Sequence, residues 1–267
     1  MNAMLFAAGL GTRLKPFTDT HPKALLPLAG KPLLQWQIEQ LRAAGITDIV
    51  VNVHHYADQI KTYLQAHDFG CTIRISDERE ALLDTGGGLR KAMHETLKVS
   101  NEAPWLVCNV DILSTIRLPQ FIASHRQEDL ATLVVSQRQT QRYLLFDGEQ
   151  CLRGWTNIST GEVRPKLCAA HDKSRLHFQP HLLELAFSGM QIVAPRLLYY
   201  LDEMAREKGD KFSLIDLYLY ICEHYPEQTL RAYIPSDYRM MDVGKTAQLQ
   251  EAEAFAEGLY TLLKVDK

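Results

Sequence analysis

The chain has 267 residues, 46% hydrophobic and 23% charged, which suits a normal globular core. Its net charge of −3 argues against nucleic-acid binding, which usually needs a basic face. No apolar run approaches the roughly 20 residues of a spanning helix, and residues 1–8 are too short for a signal peptide, so a cytoplasmic protein is expected.

In chain order, Met4–Ala8 reads as a short apolar strand that feeds into a glycine loop. Pro32 opens a helical pattern through Leu33, Ile38 and Leu41, and Gly45 lies just past its end. Ile46–Val53 is β-branched and apolar, hence a buried strand. Ala57–Ala66 is a second helix. Cys71–Ser76 is a strand polar enough for a sheet edge, Gly88–Leu97 a helix, and Pro104–Asn109 a strand. This alternation predicts a mainly parallel sheet with helices on both faces, a Rossmann-like α/β fold. Beyond it, Leu130–Ser136 is a strand. Tyr143–Phe146 and Cys151–Trp155 form a hairpin around Asp147-Gly148. Residues 157–180 are not placed. Ser188–Ala194 and Leu230–Ile234 are strands. Pro195–Ala205, Leu214–His224 and Lys245–Leu263 are helices.

Ligands of such sheets bind beyond the carboxyl ends of the strands. Two candidate sites fall there. The first is Ala8-Gly9-Leu10-Gly11-Thr12-Arg13, with Pro22-Lys23 ten residues later. Backbone N–H groups of such a loop cradle anionic oxygens, and Arg13 and Lys23 add a forked and a compact cation. Position 14 is Leu, so the dinucleotide fingerprint fails, and no P-loop string occurs. A polyphosphate site is the reading; two glycines alone would make only a tight turn. The second is Asn109-Val110-Asp111, whose Asp reaches the same crevice or merely caps a turn. Asp242 in Met241-Asp242-Val243-Gly244 reads on its own as a loop residue capping the helix near Lys245; two carboxylates would suit a hard cation, but sequence alone does not pair Asp242 with Asp111. Asp84-Thr85-Gly86-Gly87-Gly88 precedes a helix; its glycines would let a flat group lie on the backbone, or form a flexible loop. His54, His55 and Trp36 read as packing residues. The ten histidines are scattered and form no His-x-x-x-His pair on a predicted helix, so zinc is not expected. Cys71, Cys108, Cys151, Cys168 and Cys222 are widely spaced and read as free thiols.

Gly9, Gly11, Thr12, Arg13, Pro22, Lys23, Pro27, Leu28, Lys31 and Pro32 together resemble the N-terminal motif of the sugar-1-phosphate nucleotidyltransferases. The Asp84–Gly88 and Phe187-Ser188-Gly189 segments most resemble the N-acetylmuramate-1-phosphate uridylyltransferase branch. The resemblance implies one domain of the nucleotide-diphospho-sugar transferase type. Its nucleotide-binding half would cover about 1–112, its sugar-binding half about 113–245, and a C-terminal helix about 245–263. It further implies nucleotide contacts from Ala8, Gly9, Gly11, Thr12, Arg13, Lys23, Thr85, Gly86 and Gly87. Asn109 and Gly189 would face the sugar, and Asp111 and Asp242 would hold Mg²⁺. The family's Glu-Lys-Pro segment is absent; Lys166 or Lys173 would stand in for its lysine. The substrates implied are a nucleoside triphosphate, UTP, and an N-acetylated amino-sugar 1-phosphate. The rivals are a mannose-1-phosphate guanylyltransferase, a phosphocholine cytidylyltransferase and a catalytically silent nucleotide-binding regulatory protein.

Overall fold

The computed structural model describes residues 1–96, 103–165 and 182–265. The first half alternates strand and helix: β1 (Asn2–Phe6), the short pair β2 (Pro27–Leu28) and β3 (Lys31–Pro32), α1 (Leu33–Ala43), β4 (Asp48–Val53), α2 (Ala57–Ala66), β5 (Thr72–Asp77), α3 (Asp84–Thr96) and β6 (Trp105–Asn109). Next come β7 (Ile112–Ser114), α4 (Leu118–Ser124), β8 (Asp129–Ser136), β9 (Arg142–Phe146), β10 (Leu152–Asn157) and β11 (Glu162–Arg164). The last part holds β12 (Leu183–Val193), α5 (Leu197–Lys208), α6 (Leu214–His224), β13 (Thr229–Tyr233), β14 (Met240–Asp242) and α7 (Leu249–Val265).

The main sheet runs β11-β10-β9-β12-β6-β1-β4-β5, with β8 also on β12 and β13 on β8. From β6 to β5 all pairings are parallel. From β12 outward the pairing turns antiparallel on both branches, and only β13 on β8 is parallel again. Strand β1 is central: the chain leaves it toward β4 on one side and returns at β6 on the other. That reversal opens a crevice at the carboxyl ends of β1 and β6, where open α/β sheets take their ligands.

Alternation along the central strands explains the two layers. In β1, Ala3 and Leu5 face one core and Met4 the other. In β6, Leu106 and Cys108 face the first, and Trp105 and Val107 the second. The first core is covered by Leu34, Ile38 and Leu41 of α1, Ile60 of α2 and Ala252 and Ala256 of α7. The second is covered by Leu89 and Met93 of α3, Leu201 of α5 and Leu217 of α6. Each large apolar side chain buried in these layers stabilises the fold by about 1.5–3 kcal/mol. Two buried faces per strand are why β1 and β4 read as continuous apolar runs.

The structure shifts several expected elements. Helix α3 begins at Asp84, not Gly88, so the triple glycine lies in its first turns rather than in a preceding loop. Strand β12 starts at Leu183, earlier than expected. Helix α7 starts at Leu249, after a 3-10 turn over Thr246–Gln248. Helix α4 and strands β7, β11 and β14 were not anticipated. Strand β5 is at the sheet edge, as its polarity suggested. Lys166, Lys173, Cys168 and the expected helix end at Leu97 lie outside the described residues.

Candidate active site

The loop after β1 is anchored from below. Ala7 N donates to Asn52 Oδ1 of β4 at 2.7 Å, and Ala7 and Ala8 are buried. Gly9 is exposed, and a Cβ there would meet nothing within 4 Å. Gly11 is different. Its φ is +62°, and a Cβ would sit 2.8 Å from Thr18 Cγ2 and 3.0 Å from Lys23 Cβ. Thr18 Oγ1 donates to Gly11 O at 2.9 Å. Only glycine lets the loop fold back this closely over Lys23. Leu14 N then closes a 3-10 turn onto Gly11 O at 2.9 Å, leaving Thr12 and Arg13 exposed at the crevice rim.

Strand pairing brings the two aspartates together. β14 lies antiparallel to β7 with Asp242 opposite Ile112, and Val243 N donates to Asp111 O at 2.9 Å. Asp111 and Asp242, 131 positions apart, thus sit at paired strand ends. Asp111 is already engaged: Lys23 Nζ donates to its Oδ2, with the lysine side chain only 10% exposed. Asp242 is exposed. Gly244 is wedged beside it, since a Cβ there would sit 2.8 Å from Asp242 Oδ1 and 3.1 Å from Arg13 Nη2. Arg13, Lys23, Asp111 and Asp242 therefore converge on one rim.

A cavity of about 410 Å³ runs inward from this rim. Ala8, Gly9, Lys23 and Asp111 line one part, Phe6, Asn52, Asn109 and Val110 others, and Glu78, Leu82, Asp84, Thr85 and Lys211 the rest. Glu78 is 1% exposed. It accepts Asn52 Nδ2 at 2.7 Å and Leu83 N at 3.1 Å, so one carboxylate braces both the phosphate loop and the Leu82–Thr85 wall. Burial pushes its pKa up, against the opposing pull of these two donors.

The triple glycine has a different use from the one expected. A Cβ on Gly86 would lie 2.4 Å from the Phe212 ring, one on Gly87 2.0 Å from Asp210 O, and one on Gly88 2.7 Å from Glu78 Oε1. What lies flat against these glycines is the chain itself. Gly86 N and Gly87 N both point at Phe212 O, at 2.9 and 3.3 Å, so those donors are taken. Of this segment, Asp84 and Thr85 line the cavity.

Asn109 and Gly189 meet across β6 and β12. Gly189 has φ +71° at a register slip between Phe187 and Gln191, and a Cβ there would lie 3.0 Å from Asn109 Nδ2. Trp36 Nε1 donates to Leu28 O at 3.0 Å and packs in the first core, as its packing reading implied. His54 Nδ1 bonds Glu78 O at 2.7 Å rather than lining the cavity.

Sequence reasoning missed Asn52, Glu78 and Lys211. An asparagine inside the apolar Asp48–Val53 strand was a readable signal, because buried polar groups require partners. Glu78 follows a strand end and Lys211 lies in a helix connection; neither carried a local signal.

The nucleotidyl transferase family model matches residues 2–144. Over 112 residues the chain is 44% identical to an N-acetylmuramate alpha-1-phosphate uridylyltransferase of Caulobacter vibrioides, covering 41% of this chain and 45% of that protein. A protein of the same description from Neisseria meningitidis serogroup B is 39% identical over 136 residues, 47% of this chain and 57% of its own. The aligned segment therefore spans about half the length of these relatives. A mannose-1-phosphate guanyltransferase of Gibberella zeae is 35% identical over 139 residues, 51% of this chain and 37% of that protein. Among solved structures, a putative glucose-1-phosphate thymidylyltransferase from Bacillus anthracis superposes with TM-score 0.74 at 18% identity, covering 96% of this chain and 95% of that one. A UDP-glucose pyrophosphorylase bound to UDP-glucose gives TM-score 0.70 at 18% identity, covering 97% and 99%. At such identities these two show a shared fold.

Proposed function

Because the chain belongs to the nucleotidyl transferase family, we propose that it joins UTP to an N-acetylated amino-sugar 1-phosphate, giving a nucleotide sugar and pyrophosphate. The observation that carries this reading is the convergence of Arg13, Lys23, Asp111 and Asp242 on the rim of one cavity. The choice of UTP is supported by the 44% and 39% identities to the two uridylyltransferases. GTP with mannose-1-phosphate is the second reading, supported by the Gibberella zeae relative.

A terminal oxygen of the sugar phosphate attacks the α-phosphorus. The bond from that phosphorus to its bridging oxygen breaks, and pyrophosphate leaves with the electron pair. The attacking phosphate has its second pKa near about 6, so it is largely ionised at neutral pH and needs no general base. The protein's work is positioning and charge stabilisation. Ala8, Gly9, Gly11 and Thr12 shape the phosphate loop, Arg13 holds the departing β- and γ-phosphates, and Lys23 sits where charge builds on the α-phosphate. Asn109 and Gly189 form the floor on the sugar side.

The donor set fits Mg²⁺, which takes one or two carboxylates and completes its shell with phosphate oxygens and water. Asp111 and Asp242 would hold it; among the described residues no group of three or more His, Cys, Asp or Glu side chains would hold a metal on its own. Bound there, the ion would neutralise phosphate charge. The test is a matrix of the four NTPs against several sugar-1-phosphates, read by pyrophosphate release. UTP with an N-acetylated amino-sugar 1-phosphate should give the highest kcat/KM. GTP with mannose-1-phosphate ahead by tenfold or more would overturn the substrate choice.

A further inference from the structure

Part of the cavity wall comes from the turn that joins α5 to α6, residues 209–213. The turn is stitched onto the start of α3. Phe212 N donates to Leu83 O at 3.3 Å, Gly86 N to Phe212 O at 2.9 Å, and Leu214 N to Thr85 Oγ1 at 2.9 Å. Arg90 Nη1 of α3 donates to Asp210 Oδ1 at 2.9 Å, and the Phe212 ring is buried against Gly86. The backbone on both sides of Lys211 is therefore fixed.

Lys211 itself is exposed and lines the cavity with Leu82, Asp84 and Thr85. It has no hydrogen-bond or ion-pair partner among the described residues, whereas Asp210 is held by Arg90 and Ser213 by Asp216. The other lysine of the cavity, Lys23, is paired with Asp111. Asp84 adds an acceptor to the same wall. Its φ is +61°, unusual for a residue other than glycine, and its Oδ1 accepts Thr85 N at 2.6 Å, leaving Oδ2 for a ligand.

We propose that Lys211 selects the nucleobase by donating to an exocyclic carbonyl oxygen, with Asp84 accepting from the ring N–H beside it. This rests on the reading above, in which the phosphates occupy the Gly9–Arg13 rim and the base the Asp84–Thr85 wall. Lysine only donates and a carboxylate only accepts. Uracil and guanine present a carbonyl next to an N–H and match that pair. Cytosine and adenine present the reverse, an amino group next to a bare ring nitrogen, and leave both protein groups mismatched. Lys211 and Asp84 are exposed in the free protein, so the discrimination arises when the bound base covers them and the wrong base leaves both without a complementary partner. Lys211 thus counts against the cytidylyltransferase reading.

The test is calorimetric binding of UMP and CMP, without sugar phosphate, to the wild type, Lys211→Met and Lys211→Arg. The wild type should prefer UMP. Lys211→Met should weaken UMP by about 10- to 100-fold, the span of a lost hydrogen bond to a charged group, and CMP far less. Lys211→Arg should retain most of the preference. Equal losses for both nucleotides, or no loss for either, would overturn the proposal while leaving the nucleotidyltransferase reading intact. A wild type that binds neither nucleotide would overturn that reading, and this one with it. Lys211 is exposed, so folding should be unchanged; should Lys211→Met melt early, Lys211→Gln allows the same comparison.

Discussion

Asp111 and Asp242 share a rim, yet replacing them should have different structural costs. Asp111 neutralises Lys23, whose side chain is 10% exposed against 26% for Asp111. The Asp242 carboxylate is exposed and has no hydrogen-bond or ion-pair partner among the described residues. Asp111→Asn keeps an oxygen for Lys23 Nζ but removes the opposite charge. Downgrading that bond from charge–charge to charge–neutral costs about 1–2 kcal/mol. For a chain of this size the melting temperature should fall by about 2–8 °C. Asp242→Asn should stay within about 0.5 kcal/mol of the wild type. Turnover should fall by about a hundredfold or more in both, because each change removes a carboxylate proposed to hold the Mg²⁺ that would neutralise the reacting phosphates. Melting curves taken without Mg²⁺ or nucleotide isolate the structural term, and pyrophosphate release isolates the catalytic one. In a Lys23→Gln background, Asp111→Asn should cost almost nothing further, since the coupling is gone. Equal melting shifts in the two single variants would refute the Lys23–Asp111 pairing. Near-wild-type turnover in both at saturating Mg²⁺ would refute the metal assignment.

Other outcomes follow from the same geometry. Arg13→Ala should weaken UTP far more than UMP, because its guanidinium lies at the rim beside Gly244 and Asp242; equal losses in calorimetry would place Arg13 elsewhere. Gly87→Ala would drive a Cβ to within 2.0 Å of Asp210 O, a backbone atom, so it should cost about 1–3 kcal/mol or more and displace Lys211. Gly258→Ala, exposed in α7 with open space around it, should instead gain about 0.5–1 kcal/mol, and denaturant titration of the two variants would show the opposite signs. Glu78 has a raised folded-state pKa, so its contribution is fully present below the unfolded value of 4.5 and is lost as pH rises through the folded value. The stability of Glu78→Gln relative to wild type should therefore improve as pH climbs from about 4 toward neutrality. A pH-independent difference would mean that Glu78 titrates normally.

The parallel half of the sheet was legible because its strands are buried on both faces, and β1, β4 and β6 read as apolar runs without the help of partners. Strand β14 was not, because three residues, Met240–Asp242, become a strand only through pairing with β7. Helix α4 is seven residues long and opens at Leu118-Pro119, too short for a hydrophobic period to declare itself. In the candidate site, Arg13, Lys23 and Asp111 lie within motifs and were singled out by type and spacing. The meeting of Asp111 with Asp242 is a tertiary fact. So is the packing of Phe212 on Gly86, which turns an apparent ligand-facing glycine run into a helix–turn contact. Lys211 acquires its place only through that contact.

The reaction itself is tested most directly by following oxygen. A sugar-1-phosphate labelled with ¹⁸O on its terminal phosphate oxygens is incubated with unlabelled UTP, Mg²⁺ and the protein, and the products are resolved by mass spectrometry. Attack on the α-phosphorus by the sugar phosphate predicts a nucleotide sugar that carries all of the label and an equal amount of unlabelled pyrophosphate. Label in the pyrophosphate, or free UMP in place of the nucleotide sugar, would contradict it.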